Sequence, residues 1–178
     1  MLRGFEIVSK YQDENLTLPK RATEKAAGYD FASACDMTIP SIWKTGLVHA
    51  FAIIKAQKNL DQQAIMDSEK ALKPFLVPTG IKAYMQPNEV LIIANRSSNP
   101  LKRNLVIPNG IGVIDADYYN NESNEGEIFV QILNFGIVDR KIKKGDRIGQ
   151  GIFMPYLLAD KDEGPKLTRN GGFGSSGK

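Results

Sequence analysis

Several residues in this chain have the types and settings that chemistry on an anionic ligand requires. Arg96, Ser97 and Ser98 follow the apolar run Val90–Ala94. A guanidinium offers a rigid fork to phosphate oxygens, and a hydroxyl can donate one more hydrogen bond. Asp115 closes the run Gly112–Ile114, where a carboxylate at a strand end can act either as a general base or as a plain solvated cap. The last residues, TRNGGFGSSGK, set Arg169 and Phe173 among glycines and Ser175 and Ser176. Glycine lets the backbone approach a ligand, and successive N–H groups can cradle an anion. Composition alone reads the same stretch as a frayed linker, so it is either a loose end or an arm that orders over a ligand.

The rest of the chain limits what these groups can do. With 178 residues there is room for one domain with a sizeable core. The net charge is only +3, and the lysines and arginines are dispersed, so no nucleic-acid tract is expected. The first ten residues, MLRGFEIVSK, lack the apolar core of a signal peptide. The most apolar stretch, Gly46 to Ile54, is too short to cross a bilayer, so no membrane partner is expected. One cysteine and one histidine allow no internal disulfide and no ordinary zinc site. The expected location is the cytoplasm, and any metal would be a hard cation held by oxygen atoms, a substrate's included.

Short runs rich in Val, Ile and Phe, bounded by Gly, Pro and Asn, must position these residues. The expected strands are Phe5–Val8, Phe31–Cys35, Phe75–Val77, Ile81–Tyr84, Val90–Ala94, Leu105–Ile107, Gly112–Ile114, Glu127–Leu133 and Ile148–Phe153. Their spacing predicts an all-β sandwich or a barrel-like jelly roll. Segment 41–73 breaks the pattern. Leu60, Ala64, Met66 and Leu72 could share part of a helical face, which predicts a short helix over Asp61–Lys70 with Asn59 as a possible N-cap. A second polar, turn-like break covers Tyr119–Glu125.

Five short motifs in a fixed order then carry a resemblance. They are Ala27-Gly28-Tyr29-Asp30; Arg96-Ser97-Ser98; Gly112 through Tyr118, GVIDADY; Gly145 through Gln150, GDRIGQ; and Arg169 through Gly177, RNGGFGSSG. With Leu76-Val77-Pro78-Thr79-Gly80 between the first two, the chain resembles the trimeric dUTPase family over most of its length. The resemblance implies an all-β, distorted jelly-roll barrel over residues 1–167, with 168–178 as an arm closing over another subunit's site in a homotrimer. It also implies hydrolysis of dUTP to dUMP and pyrophosphate with Mg²⁺, which limits uracil in DNA and supplies dUMP for dTMP synthesis.

Residue roles follow from the same resemblance. The strand from Val106 and the strand into Asp115 would form a hairpin holding uracil, with Gly112 and Ile114 in its wall and Asn109 near the base. A simpler reading makes Asn109-Gly110 a type I′ hairpin turn. Asp115 would deprotonate the attacking water, an assistance of roughly 10²–10⁴-fold. The ring of Tyr118 would lie against the deoxyribose and leave no room for a 2′-hydroxyl. Arg96, Ser97, Ser98 and Gln150 would meet the triphosphate or the water. Asp146 and Arg147 are read as a structural salt bridge. Asp30 would reach the metal through water. Arg169 would clamp the γ-phosphate and Phe173 stack on uracil, beside Gly174, Ser175 and Ser176.

Two departures stand out. Segment 41–73 is longer than the family connection and could bind a protein partner, and 119–125 follows Tyr118 directly. Two other readings are weighed. A dCTP deaminase of the same fold would need a carboxylate in Ile128–Asn134, and IFVQILN has none. A regulatory protein without turnover would be expected to lack Asp115, Arg169 or Phe173, and all three are present.

Overall fold

The computed structural model describes residues 1–162 apart from 60 and 72, with the backbone alone at 45 and 68–71. The chain begins with β1 (Gly4–Ile7), β2 (Lys20–Arg21), β3 (Tyr29–Ala32) and β4 (Met37–Ile39). Two helices follow, α1 (Ile42–Lys58) and α2 (Gln62–Ala71). The strands resume as β5 (Phe75–Pro78), β6 (Ile81–Tyr84), β7 (Glu89–Ala94), β8 (Leu105–Val106), β9 (Ile111–Asp115), β10 (Phe129–Asn134), β11 (Arg140–Ile142) and β12 (Arg147–Pro155). The largest sheet has the order β2-β3-β12-β7-β9, beside a three-stranded sheet β5-β10-β8 and the pairs β1-β6 and β11-β4. The architecture is therefore mostly β, as the strand spacing predicts. Among the described residues the sheets remain separate and close no barrel, where the resemblance implies a distorted jelly-roll barrel.

The strands form where alternate residues can be buried. In β7 and β10 every second side chain faces the core, the two-residue period of a strand with one packed face. Phe31, Leu91, Leu105, Ile128, Ile132 and Ile148 are fully buried between the sheets. Phe5 packs edge-on against Phe31, with ring centroids 5.4 Å apart. β2, β4 and β11 are additional strands of two or three residues that pair with expected neighbours or with each other.

The helical content of segment 41–73 is larger than expected. The short helix is present as α2, but the longer α1 precedes it. Ser41 caps α1 by accepting the Lys44 N–H at 3.4 Å, as N-cap serines do. Asn59 closes α1 rather than opening α2, and Asp61 takes the capping role, its Oδ1 accepting the Ala64 N–H at 3.0 Å. The root of the hairpin is fixed to the β body. The Ser41 hydroxyl donates to Gly136 O at 2.6 Å, and Trp43 Nε1 donates to Phe135 O at 2.9 Å. Trp43, Leu47, Phe51 and Ile54 remain exposed along α1. Among the described residues no helix is long and apolar enough to cross a membrane.

Candidate active site

Two groups of predicted residues gather in the structure, at different places. The first is a cleft of about 210 Å³ beside β9. It is lined by Ile93 of β7, by Gly112, Val113 and Ile114 of β9, and by Phe129, Val130 and Gln131 of β10. Ile107, Asn109 and Tyr118 complete the lining.

The expected hairpin is splayed. β8 pairs with β10 and β9 pairs with β7, so the two arms do not ladder to each other. Pro108 lies between them, and proline brings no N–H to a ladder. The turn closes through Gly110 N–H to Ile107 O at 3.1 Å and Ile111 N–H to Asn109 O at 2.8 Å. Gly110 has φ +73°, whereas Asn109 is not among the positive-φ residues. A type I′ turn needs positive φ at both central positions, so that simpler reading is excluded. Asn109 instead turns its amide inward on its own loop, Nδ2 donating to Ile111 O at 2.8 Å.

Asp115 is the last residue of β9 and leads into the 3₁₀ turn Ala116–Tyr118 in extended conformation. It is half-buried and lies in sequence between Ile114 and Tyr118, both of which line the cleft. Tyr118 is buried, and its hydroxyl donates to Glu127 O at 3.0 Å.

The second group lies where β3, β12 and the end of β7 run side by side. Gln150 of β12 pairs in register with Asp30 of β3 on one side and Ala94 of β7 on the other. Arg96 therefore emerges next to Asp30, and its Nε donates to Asp30 Oδ1 at 2.7 Å. Arg147 Nη1 reaches Asp30 Oδ2 at 3.1 Å. One carboxylate thus holds two guanidinium groups, which leaves a net positive patch suited to a polyanion. Ser98 Oγ accepts from Arg96 Nη1 at 3.4 Å, and Ser97 is exposed on the same loop. Gln150 Nε2 donates to Asn95 O at 3.0 Å. Gly28 lies against Gln150 so closely that a Cβ there would meet its Oε1 at 2.6 Å.

This corrects the expected bridge between Asp146 and Arg147. Asp146 pairs with Arg103 at 2.8 Å, and Arg147 pairs with Asp30. Asp146 lies in the turn before β12, where its Oδ2 also accepts the Lys143 N–H at 3.1 Å, whereas Arg147 opens β12 beside β3, so the two adjacent residues find separate partners. Sequence reasoning also missed Asn99, a buried residue whose Nδ2 donates to Ile148 O at 2.8 Å and to Asn95 Oδ1 at 3.0 Å. It fastens the Arg96 loop to β12. The Asn-Pro pair after Ser98 was the available signal, since such pairs favour turns.

The two groups do not meet within one chain. β7 and β9 are antiparallel, with Asp115 opposite Val90 and Ile111 opposite Ala94. Four steps at about 3.3 Å each separate the two ends by roughly 13 Å, and Arg96 lies beyond the far one. Arg169, Phe173, Gly174, Ser175 and Ser176 lie outside the described residues. Among the described residues no three His, Cys, Asp or Glu side chains cluster closely enough to hold a metal ion. A carboxylate has about four lone-pair positions, so Asp30, with one N–H on each oxygen, is still suited to metal-bound water.

The dUTPase family profile matches residues 67–177. The chain belongs to the dUTPase family. The deoxyuridine 5′-triphosphate nucleotidohydrolase of Lactococcus lactis is 44% identical over 177 residues, covering 99% of this chain and 98% of that protein. It therefore extends the dUTPase likeness over β3, Asp30 and the helical hairpin, which precede or only enter the profile match. The crystal structure of dUTPase from Streptococcus mutans superposes with a TM-score of 0.68 at 43% identity, over 88% of this chain and 98% of that one. The dUTPase from phage phi11 of S. aureus shares the fold at 17% identity, with a TM-score of 0.62 over 94% of this chain and 98% of that one.

Proposed function

We propose that this chain is a dUTP diphosphatase, hydrolysing dUTP to dUMP and pyrophosphate. The observation that carries the proposal is the cleft beside β9, with Asp115 falling in sequence between two of its lining residues, Ile114 and Tyr118, in a chain 44% identical throughout to a deoxyuridine 5′-triphosphate nucleotidohydrolase.

The splayed arms explain how such a cleft would read a base. The arms do not pair with each other, so backbone N–H and C=O groups around Gly112 and Ile114 that are not bonded to β7 would be available to match a uracil edge. A site that hydrogen-bonds its substrate rejects analogues that leave those groups unpaired. Asn109 would add its side-chain amide, and the ring of Tyr118 would close against the deoxyribose. Asp115 would take a proton from water as its oxygen bonds to the α-phosphorus, and the α–β bridging oxygen would leave with pyrophosphate. Arg96, Ser97, Ser98 and Gln150 would hold the triphosphate, with Asp30 fixing the fork of Arg96. From beyond the described residues, Arg169, Phe173, Gly174, Ser175 and Ser176 would close the site. Mg²⁺, held by the phosphates and through water by Asp30, would neutralise charge on the departing oxygens.

The separation of Asp115 from Arg96 supports a homotrimer in which each site takes these residues from different subunits. dCTP deamination is not favoured, because β10 carries no carboxylate. Pyrophosphate release from dUTP, dTTP, dCTP and UTP, with and without Mg²⁺, tests the assignment. Release from dUTP alone, dependent on the metal, is expected; ammonia from dCTP would overturn it.

A further inference from the structure

We propose that Asn124, in the inserted segment 119–125, is a positioning residue that holds Tyr118 and thereby sets discrimination between deoxyribose and ribose nucleotides. The inference rests on the reading above, in which Tyr118 meets the sugar.

The hydroxyl of Tyr118 is held from two sides. It donates to Glu127 O at 3.0 Å and accepts from Asn124 Nδ2 at 2.8 Å. The same amide nitrogen lies 3.2 Å from Glu127 O, so three groups close a small ring around the end of the tyrosine. Asn124 is itself fixed. Its Oδ1 accepts from Asn121 Nδ2 at 2.8 Å and from the Gly126 N–H at 3.1 Å. Asn121 also grips the tyrosine backbone, Nδ2 donating to Tyr118 O at 2.9 Å. Both ends of Tyr118 are therefore tied to the insertion.

The insertion is in turn tied to the body of the protein. Lys82 of β6, almost wholly buried, donates to Asn120 Oδ1 at 2.7 Å and Glu125 Oε1 at 2.8 Å. Glu125 also accepts from the N–H and hydroxyl of Ser9, each at 3.0 Å. Asn120 and Glu125 both adopt positive φ, a conformation side-chain-bearing residues keep only when their surroundings enforce it. A loop that merely bridged Tyr118 to β10 would need none of these bonds. Satisfied buried polar networks fix one geometry, and here the fixed group is the ring facing the sugar.

The test compares kcat/KM for dUTP and UTP in the parent, Asn124→Ala, Tyr118→Phe and the double variant, alongside thermal midpoints. Asn124→Ala should lower the dUTP:UTP ratio about fivefold, the value of one ordinary hydrogen bond. Tyr118→Phe should do the same, and the double variant should lose no more than either single one. An unchanged ratio, whatever the midpoint does, or additive losses would overturn the proposal. Should Asn124→Ala not fold, Glu125→Gln loosens the loop at Lys82 and Ser9 and should shift the ratio less but in the same direction; no shift counts against the proposal. A parent that does not cleave dUTP would instead sink the proposed activity. The loop's role would then be read from calorimetric binding of dUMP against UMP, by the same criteria.

Discussion

Asp115 and Arg96 stand at opposite ends of the β7–β9 ladder, Asp115 opposite Val90 and Arg96 two residues past Ala94. If the proposed chemistry needs both, it needs two chains. Asp115→Asn and Arg96→Ala should each be inactive alone. Refolded together in equal amounts, they should recover roughly a quarter of parental activity, because each site of a closed symmetric oligomer then draws an intact residue from each of two chains half the time. No recovery would place both residues in one chain's site.

Asp115→Asn keeps the shape of the side chain but removes its basicity. Binding of a nonhydrolysable dUTP analogue should survive, while pyrophosphate release falls by roughly 10²–10⁴-fold. Isothermal calorimetry and a pyrophosphate assay on the same preparation separate the two effects.

The paired guanidinium groups on Asp30 give a different signature. Asp30→Asn leaves Arg96 and Arg147 without their common counter-ion. Both bonds are charge-assisted, but the one from Arg96 is part-buried and the one from Arg147 is exposed, so the Arg96 bond is worth the more of the two. The triphosphate contacts should loosen, with at least a tenfold fall in kcat/KM for dUTP and a smaller loss for binding of dUMP, which lacks the outer phosphates.

Much of this was legible in the sequence, but unevenly. The nine expected strands are present within a few residues of their ends, because runs such as Glu89–Ala94 alternate buried and part-buried residues. β2 and β11 escaped because Lys20-Arg21 and Arg140-Lys141-Ile142 are short and mostly charged. α1 escaped for another reason. Trp43, Leu47, Phe51 and Ile54 do recur at helical spacing, but Gly46 and Val48 weaken its helical propensity, and the stripe is left exposed instead of joining the core. The motifs named the groups that hold a nucleotide, yet not their pairing. Asp30 meets Arg96 across 66 positions and Arg147 across 117, and only the register of β3 and β12 brings them together. The support behind Tyr118 was equally hidden, since a run of Asn, Glu and Ser reads as a solvated turn until its side chains are seen folding back.

Gly28 offers a test of that register. A methyl group there collides with the end of the Gln150 side chain, which is flexible and can move. Gly28→Ala should therefore change the thermal midpoint little. It should still lower kcat about tenfold by displacing the amide from Asn95 O, if Gln150 acts at the triphosphate.

Acid should loosen the segment behind Tyr118. The hydrogen bond from Lys82, followed by that from the Ser9 backbone, holds the Glu125 carboxyl below its ordinary value of 4.5. A carboxylate depressed on folding contributes stability that is present above its unfolded value and lost as pH falls through the folded one. Midpoints measured from pH 6 downward should thus fall more steeply, below about pH 4.5, in the parent than in Glu125→Gln. Parallel curves would show that the ion pair carries no such linkage.

The hairpin of α1 and α2 leaves the β body after β4 and returns at β5, and its root is bonded through Ser41 and Trp43 to the turn that follows β10. Among its described residues none lines the cleft beside β9 or pairs with Asp30. The bend between the two helices is accordingly a natural attachment point for a fluorophore or a surface tether, one from which the protein could be watched or immobilised while nucleotides still come and go.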